Sequence, residues 1–139
     1  MESNFLLVLL VDDDEDEYVL LNDLVDTIHA GTRGVRIQLD WAASYQAALQ
    51  AARDKPYDIF LVDHYLGSET GLDLLRAWRA QGVHTPAILL TGQTSYELDL
   101  AAMQQGAVDF ISKTDLTATL LERSIRYSLE HSRAQAELE

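Results

Sequence analysis

Short apolar runs alternate with helix-like segments five times along this chain of 139 residues, and this alternation constrains the fold more than any other feature. Residues 5–11, 59–62 and 87–90 carry only apolar side chains, which is typical of strands buried on both faces of a parallel sheet. Residues 35–39 alternate apolar with polar side chains and indicate a half-exposed edge strand. A fifth run, 108–112, completes the set. Strict alternation of strands and helices predicts parallel strands joined by right-handed crossovers.

The segments between these runs predict five helices, over residues 17–30, 44–54, 71–81, 96–106 and 116–133. Ser44 is placed to cap the second of them. Five β–α units with the second strand at an edge favour an α/β fold of the flavodoxin-like (βα)5 type, a five-stranded parallel sheet in the order 2-1-3-4-5. In that order strands 1 and 3 are neighbours and the topology reverses between them. Ligands bind at such a reversal, outside the carboxyl ends of the strands.

The charge balance excludes several classes of function. The chain has 23 acidic against 10 basic residues, a formal charge of -13, so the backbone of a nucleic acid would be repelled. It has no cysteine, which excludes disulfides and thiolate metal sites and suits the cytosol. The longest apolar run, residues 5–11, is too short to span a bilayer. We therefore expect a cytoplasmic protein that binds neither nucleic acid nor membrane.

Charged residues follow three of the predicted strands at the point where each strand ends. Asp12 and Asp13 come directly after the first strand, Asp63 after the third, and Lys113 after the fifth. Because the carboxyl ends of parallel strands meet at one edge of a sheet, we expect these four side chains to converge. Such a pocket can hold a divalent cation, use a carboxylate as nucleophile and neutralise a phosphoryl group. The acids at 14–17 are interpreted instead as the start of a helix.

Several segments in order resemble the receiver domain of bacterial two-component response regulators, from about residue 5 to about residue 125. The matching segments are Leu-Val-Asp-Asp-Asp at 10–14, Asp-Ile-Phe-Leu-Val-Asp at 58–63, Gly-Leu-Asp-Leu-Leu at 71–75, Ile-Leu-Leu-Thr-Gly at 88–92 and Gly-Ala-Val-Asp-Phe-Ile-Ser-Lys at 106–113. Each segment alone is weakly specific, and the set in register is strongly specific.

The resemblance implies a phosphorylation-dependent signalling switch that uses Mg²⁺ as its cofactor. Asp63 would be the phosphoacceptor. The implied metal ligands are Asp12, Asp13, Asp63 and the backbone carbonyl of Tyr65; the implied phosphoryl-binding residues are Thr91, Gly92 and Lys113; the implied switch residues are Thr91 and Phe110. A histidine kinase or phosphotransfer protein would supply the phosphoryl group. The surface of the fourth helix, fifth strand and fifth helix would then change for a downstream output domain or partner protein.

Four positions depart from the common pattern of that family. Thr114 follows Lys113 where proline is common, and Gly67 stands where many receivers have proline, which predicts a looser loop. Phe110 takes the place of a tyrosine. Tyr65 is bulky where smaller polar residues are common, and we hypothesise that it shields an acyl phosphate from water.

The resemblance also implies a division of the chain, with residues 1–128 as the receiver domain and 129–139 as an extension of the fifth helix that could lead to a further domain. A homodimer is compatible with the sequence. Two other functions stay open. One is a receiver-like interaction module regulated without phosphorylation. The other is an aspartate-nucleophile phosphohydrolase, which typically needs a second acid where Tyr65 stands. As a receiver, the chain would not be an enzyme beyond catalysing its own phosphorylation and dephosphorylation.

Overall fold

A five-stranded parallel sheet forms the centre of the protein in its computed structural model, which describes residues 4–31, 35–92, 100–101 and 103–138. Its strands are β1 (Asn4–Val11), β2 (Val35–Ala42), β3 (Ile59–Asp63), β6 (Ala87–Thr91) and β7 (Ala107–Ser112). The short strands β4 (Tyr65–Leu66) and β5 (Glu69–Thr70) form a separate antiparallel hairpin. The sheet order β2-β1-β3-β6-β7 is the predicted 2-1-3-4-5 once the hairpin is set aside. The predicted flavodoxin-like fold is confirmed, with β2 at an edge.

Four long helices among the described residues flank the sheet. They are α1 (Glu15–Gly31), α2 (Tyr45–Asp54), α3 (Gly71–Ala80) and the C-terminal helix (Ala118–Leu138). The hydroxyl of Ser44 accepts a hydrogen bond from the Ala47 amide at 3.1 Å, so the predicted cap of α2 is confirmed. Most of the predicted helix 96–106 lies outside the described residues; residues 100, 101, 103 and 104 are helical. No helix in the described part of the chain is long and apolar enough to cross a bilayer.

The C-terminal helix begins two residues later than the sequence predicts. Lys113–Asp115 form a 3-10 turn, and the hydroxyl of Thr117 then accepts a hydrogen bond from the Leu120 amide at 3.1 Å. A side-chain acceptor at this position satisfies an amide of the first helical turn, which has no partner within the helix. Lys113 is therefore the first residue after β7 and opens the 3-10 turn, ahead of the C-terminal helix.

The core lies on both faces of the sheet because neighbouring side chains of a strand point in opposite directions. On β1, Leu9 and Val11 pack towards α2 and α3, whereas Val8 and Leu10 pack towards α1 and the C-terminal helix. Burial on both faces explains why residues 8–11, 59–62 and 87–90 are all apolar. On the first face Trp78 of α3 stacks on Phe60, with ring centroids 3.9 Å apart. This contact packs α3 against the sheet.

Candidate functional site

The strand registers bring the ends of four strands to one edge of the sheet. Val11 pairs with Val62, so the next residues, Asp12 and Asp63, are neighbours across the β1–β3 pair. Asp63 pairs with Leu90 on β6, and β6 pairs with β7 in turn. The carboxyl ends of these strands are therefore aligned, and the functional residues that follow them lie at one edge of the sheet.

The ammonium group of Lys113 lies between two of the predicted carboxylates. Its Nζ is 3.2 Å from Oδ2 of Asp12 and 3.1 Å from Oδ1 of Asp63. Thr114 takes the place of the proline common in the family, and its hydroxyl lies 2.8 Å from that of Ser112. Lys113 therefore reaches both acids without proline at the next position.

Three carboxylates form a cluster that could hold a metal ion. Asp12, Asp13 and Asp63 each offer an oxygen, and these oxygens lie within 4.8 Å of one another. Asp12 and Asp63 are buried, whereas Asp13 is exposed and open to solvent. Hard oxygen donors with an open side suit Mg²⁺, which prefers carboxylates and keeps several waters.

The buried environment shifts the ionisation of the site. Burial raises the pKa of the Asp63 carboxyl, since Lys113 offsets only part of the desolvation and the charge of Asp13 adds to it. Burial likewise raises the pKa of Asp12, against the hydrogen bond that it accepts from the Asp14 amide. For Lys113 burial alone would lower the pKa, but the hydrogen bond to Asp63 and the surrounding carboxylates outweigh burial and raise it. The clustered carboxylates therefore carry more negative charge than the single ammonium group of Lys113 neutralises.

Trp41 holds the backbone of Asp12 in place. Its indole Nε1 donates a hydrogen bond to the carbonyl of Asp12 at 2.7 Å, and its ring stacks on Tyr18 of α1 at 5.1 Å. The stacking packs α1 against the edge strand β2. The hydrogen bond to the site was missed, because nothing in the sequence relates the edge strand β2 to the end of β1 at atomic detail.

Glu17 also belongs to the site, although the sequence placed it only in a helix start. Its Oε1 lies 3.8 Å from Lys113 Nζ, and its Oε2 is buried without a hydrogen-bond partner among the described residues. Asp14 behaves as predicted, since its side chain caps α1 by accepting from the Asp16 amide at 2.9 Å. Glu17 differs from its acidic neighbours only in the face of α1 that it occupies.

The remaining predicted residues lie around the same edge. Thr91 ends β6, is fully buried, and pairs with Ser112, the residue before Lys113. Gly92 is exposed, and a Cβ added there would have no atom within 4 Å. Phe110 is half-buried on β7 and pairs with Leu89, which puts it on the same face of the sheet as Thr91.

The segment after Asp63 is an ordered hairpin rather than the looser loop that Gly67 predicted. Gly67 has a φ of 77°, a conformation that glycine adopts without strain, and it turns β4 into β5. Tyr65 begins the hairpin and is 61% exposed, and its ring lies edge-on to that of His64 with the centroids 4.6 Å apart. Gly71, which follows the hairpin, packs directly on Asp63: a Cβ there would lie 2.6 Å from the Asp63 carbonyl oxygen.

The chain matches a known protein family over most of its length. The family model of the response regulator receiver domain matches residues 8–124. The chain belongs to this family. As a receiver domain of two-component response regulators it is a signalling domain, and the acidic cluster lies where receivers bind Mg²⁺.

Curated relatives of this receiver are longer response regulators. Response regulator protein PmrA of Pseudomonas aeruginosa is 34% identical over 106 residues, which are 76% of this chain and 45% of PmrA. Transcriptional regulatory protein QseB of Escherichia coli O157:H7 is 29% identical over 106 residues, with the same two shares. The receiver thus spans about half the length of these relatives.

Solved structures agree with the fold of this receiver. The signal receiver domain of an HD domain-containing protein from Pseudomonas fluorescens Pf-5 has a TM-score of 0.79 and 25% identity, covering 99% of this chain and 96% of that chain. The chemotaxis protein CheY4 of Vibrio cholerae has a TM-score of 0.75 and 23% identity, covering 89% and 98%. Because CheY4 is only 23% identical to this chain, its similarity shows the fold alone.

Proposed function

We propose that this receiver accepts a phosphoryl group on Asp63 from a histidine kinase or phosphotransfer protein, in the cytoplasm. The observation that supports this most directly is the position of Lys113, whose Nζ lies 3.2 Å from Asp12 and 3.1 Å from Asp63. An ammonium group held beside a carboxylate nucleophile can pair with the charge of an incoming phosphoryl group. No other lysine approaches the acids among the described residues, since Lys55 pairs with Asp40 instead.

The transfer needs only one bond to form and one to break. A carboxylate oxygen of Asp63 attacks phosphorus, and the bond from phosphorus to the donor nitrogen breaks with its electron pair left on the imidazole. The ammonium group of Lys113 then pairs with the negative charge of the transferred phosphoryl group, while Thr91 and the backbone at Gly92 face the phosphoryl oxygens. Positioning and charge neutralisation dominate catalysis of phosphoryl transfer, so the receiver needs no further general acid.

We also propose that Mg²⁺ is held by Asp12, Asp13, Asp63 and the backbone carbonyl of Tyr65. The donor set fits, because three clustered carboxylates offer hard oxygens and carry charge beyond what Lys113 neutralises. When bound, Mg²⁺ supplies the positive charge that lets an anionic carboxylate meet an anionic phosphoryl group. Asp13 is the exposed ligand and gives the ion access from solvent.

We propose Thr91 and Phe110 as the switch residues. The two side chains share one face of the β6–β7 pair, so a movement of the Thr91 hydroxyl towards a phosphoryl group frees space on the side of Phe110. The surface of the predicted helix 96–106, β7 and the C-terminal helix would then differ between the two states. A partner that binds one state better shifts the equilibrium towards it.

We further propose that residues 1–128 act as the receiver and that 129–139 connect it to an output domain or partner. The C-terminal helix runs without a break from Ala118 to Leu138, and Leu129, the first residue of the predicted extension, still packs against the core. The relatives are about twice as long as the matched region, which supports a downstream domain.

The direct test is incubation with Mg²⁺ and a small acyl-phosphate donor, followed by intact-mass measurement. We expect the mass of one phosphoryl group to be added to the wild-type protein and none to be added to Asp63→Asn. Asp26→Asn is the matched control, because it makes the same charge change at an exposed position of α1. It should be phosphorylated like the wild type.

The result also separates the alternatives. An unmodified wild-type protein with a normal fold would contradict the phosphoacceptor proposal and favour a module regulated by binding alone. A steady release of inorganic phosphate at many turnovers per protein would instead favour a phosphohydrolase.

A further inference from the structure

A second cavity, of about 540 Å³, lies at the opposite edge of the sheet from the acidic site. Its floor is formed where β6 and β7 begin, at Pro86, Ala87 and Ala107. Trp78 of α3 lines one wall, and His131 of the C-terminal helix lines another. A volume of this order is typical of sites for small organic molecules, about 300–1,000 Å³.

The lining of this cavity has a charge opposite to that of the rest of the protein. Arg79, His84 and His131 line it, and no aspartate or glutamate is among its described lining residues, although the chain carries 23 acids. Arg79 is anchored at the wall, since its Nη1 donates to the carbonyl of Gln104 at 3.0 Å. The other guanidinium N–H groups are available as donors, because arginine has five. Histidine adds donors in either protonation state.

Trp78, which lines the cavity, also carries an unsatisfied hydrogen-bond donor. Trp78 is 2% exposed, and its indole Nε1 is buried with no hydrogen-bond partner among the described residues. Buried polar groups in folded proteins nearly always have a partner, so this indole is an unusual group beside the cavity. By contrast, the indole of Trp41 donates to the carbonyl of Asp12.

From these observations we propose that the cavity binds a small organic anion, with an acceptor-rich phosphate or carboxylate head and a flat apolar body. The head meets Arg79 and the two histidines, and the body lies against the apolar part of the lining, which includes Pro86 and Ala87. The net charge of -13 repels anions at a distance, so binding depends on these short-range contacts rather than on steering.

The bound anion would touch both the receiver body and its extension. Trp78, Arg79 and His84 belong to the body, whereas His131 lies within the predicted extension 129–139. The cavity is therefore placed to couple ligand binding to the position of the C-terminal helix, independently of phosphorylation on Asp63.

Phenyl phosphate is a suitable probe, because it combines an aromatic body with a phosphate head. We would titrate it without divalent cations into the whole 139-residue protein and follow the two ¹⁵N-labelled indole signals by NMR. The Trp78 signal should shift and saturate, whereas the Trp41 signal, which reports on the acidic site, should stay in place. Phenol, which lacks the phosphate, should bind at least about tenfold more weakly, as expected when hydrogen bonds to a charged head are lost.

Substitutions locate the binding. Arg79→Gln and, separately, His84→Asn should weaken phenyl phosphate by a measurable factor, about tenfold for Arg79. Arg76→Gln is the control: it removes the same charge from another exposed position of α3 without touching the cavity. The proposal is wrong if neither indole signal moves, if both move together, or if Arg79→Gln and Arg76→Gln bind alike. Equal binding of phenol would also overturn it, because the site would then select apolar groups and not anions.

Discussion

Replacing Gly71 with alanine would test how closely α3 packs on the strand that carries Asp63. A Cβ at this position would lie 2.6 Å from the backbone carbonyl oxygen of Asp63, 2.9 Å from Cδ1 of Leu89 and 3.1 Å from Cγ1 of Val62. The first of these contacts is closer than real Cβ atoms come to an oxygen, and the atom that must move belongs to the backbone. The amide of Gly71 also donates to the carbonyl of His64 at 2.7 Å, which holds the two segments together.

The expected cost is the difference of two opposing effects. Overpacking a well-packed core costs about 1–3 kcal/mol. Alanine is favoured over glycine within a helix by up to about 1 kcal/mol, and Gly71 is the first residue of α3. We therefore expect Gly71→Ala to lower the free energy of unfolding by about 1–2 kcal/mol. The displaced carbonyl should also move Asp63 and slow its phosphorylation by an acyl-phosphate donor.

Urea unfolding measures the first effect, and the rate of mass gain measures the second. Gly31→Ala is the matched control, because a Cβ at Gly31 meets no atom within 4 Å. It should leave both quantities close to those of the wild type. A Gly71→Ala protein as stable and as rapidly phosphorylated as the wild type would refute the proposed close packing behind the phosphoacceptor.

Three further substitutions probe other contacts. Tyr57→Phe removes the 2.6 Å hydrogen bond to Asp40, which with its other hydrogen bonds outweighs burial and lowers the pKa of that carboxyl below 3.8. This substitution should lower the free energy of unfolding, measured in urea at neutral pH, by about 1.5 kcal/mol. The difference in stability between variant and wild type should narrow as the pH falls below 3.8, because Asp40 becomes protonated there. A difference independent of pH would contradict this prediction. Mg²⁺ should raise the melting temperature of the wild type, by mass action on the folded state, and Asp13→Asn should lose most of that rise; an undiminished rise would exclude Asp13 as a ligand. Tyr65→Asn should shorten the lifetime of the acyl phosphate on Asp63, measured as loss of mass with time, and an unchanged lifetime would show that Tyr65 shields nothing.

Much of the acidic site could be predicted because it depends on strand order. Asp12, Asp63 and Lys113 each follow an apolar run, and parallel strands end at a common edge. The contact of Glu17 with Lys113 could not be predicted in the same way. Glu17 lies in a run of six acids, and the side of α1 that faces Lys113 depends on how the helix sits on the sheet.

The cavity at the opposite edge shows the same division. Trp78 and His131 are 53 residues apart in the chain, and no periodicity of the sequence relates them. They line one cavity because residues near the end of α3 and residues of the C-terminal helix both lie beside the starts of β6 and β7. A sequence pattern identifies each element but not the space left between elements.

By itself the sequence determined the order of strands and helices, the two buried faces of the sheet and the edge at which the acids gather. These features follow from the burial of apolar side chains. The hydrophobic effect is not directional, and the local period of apolar residues along the sequence is enough to mark the positions that are buried. Only the tertiary structure decided that Lys113 lies 3.2 Å from Asp12, across 101 residues of chain, and that Trp41 and Gly71 hold the backbone of the site. Contacts of this kind are directional and close-packed, so they exist only once the elements have been assembled.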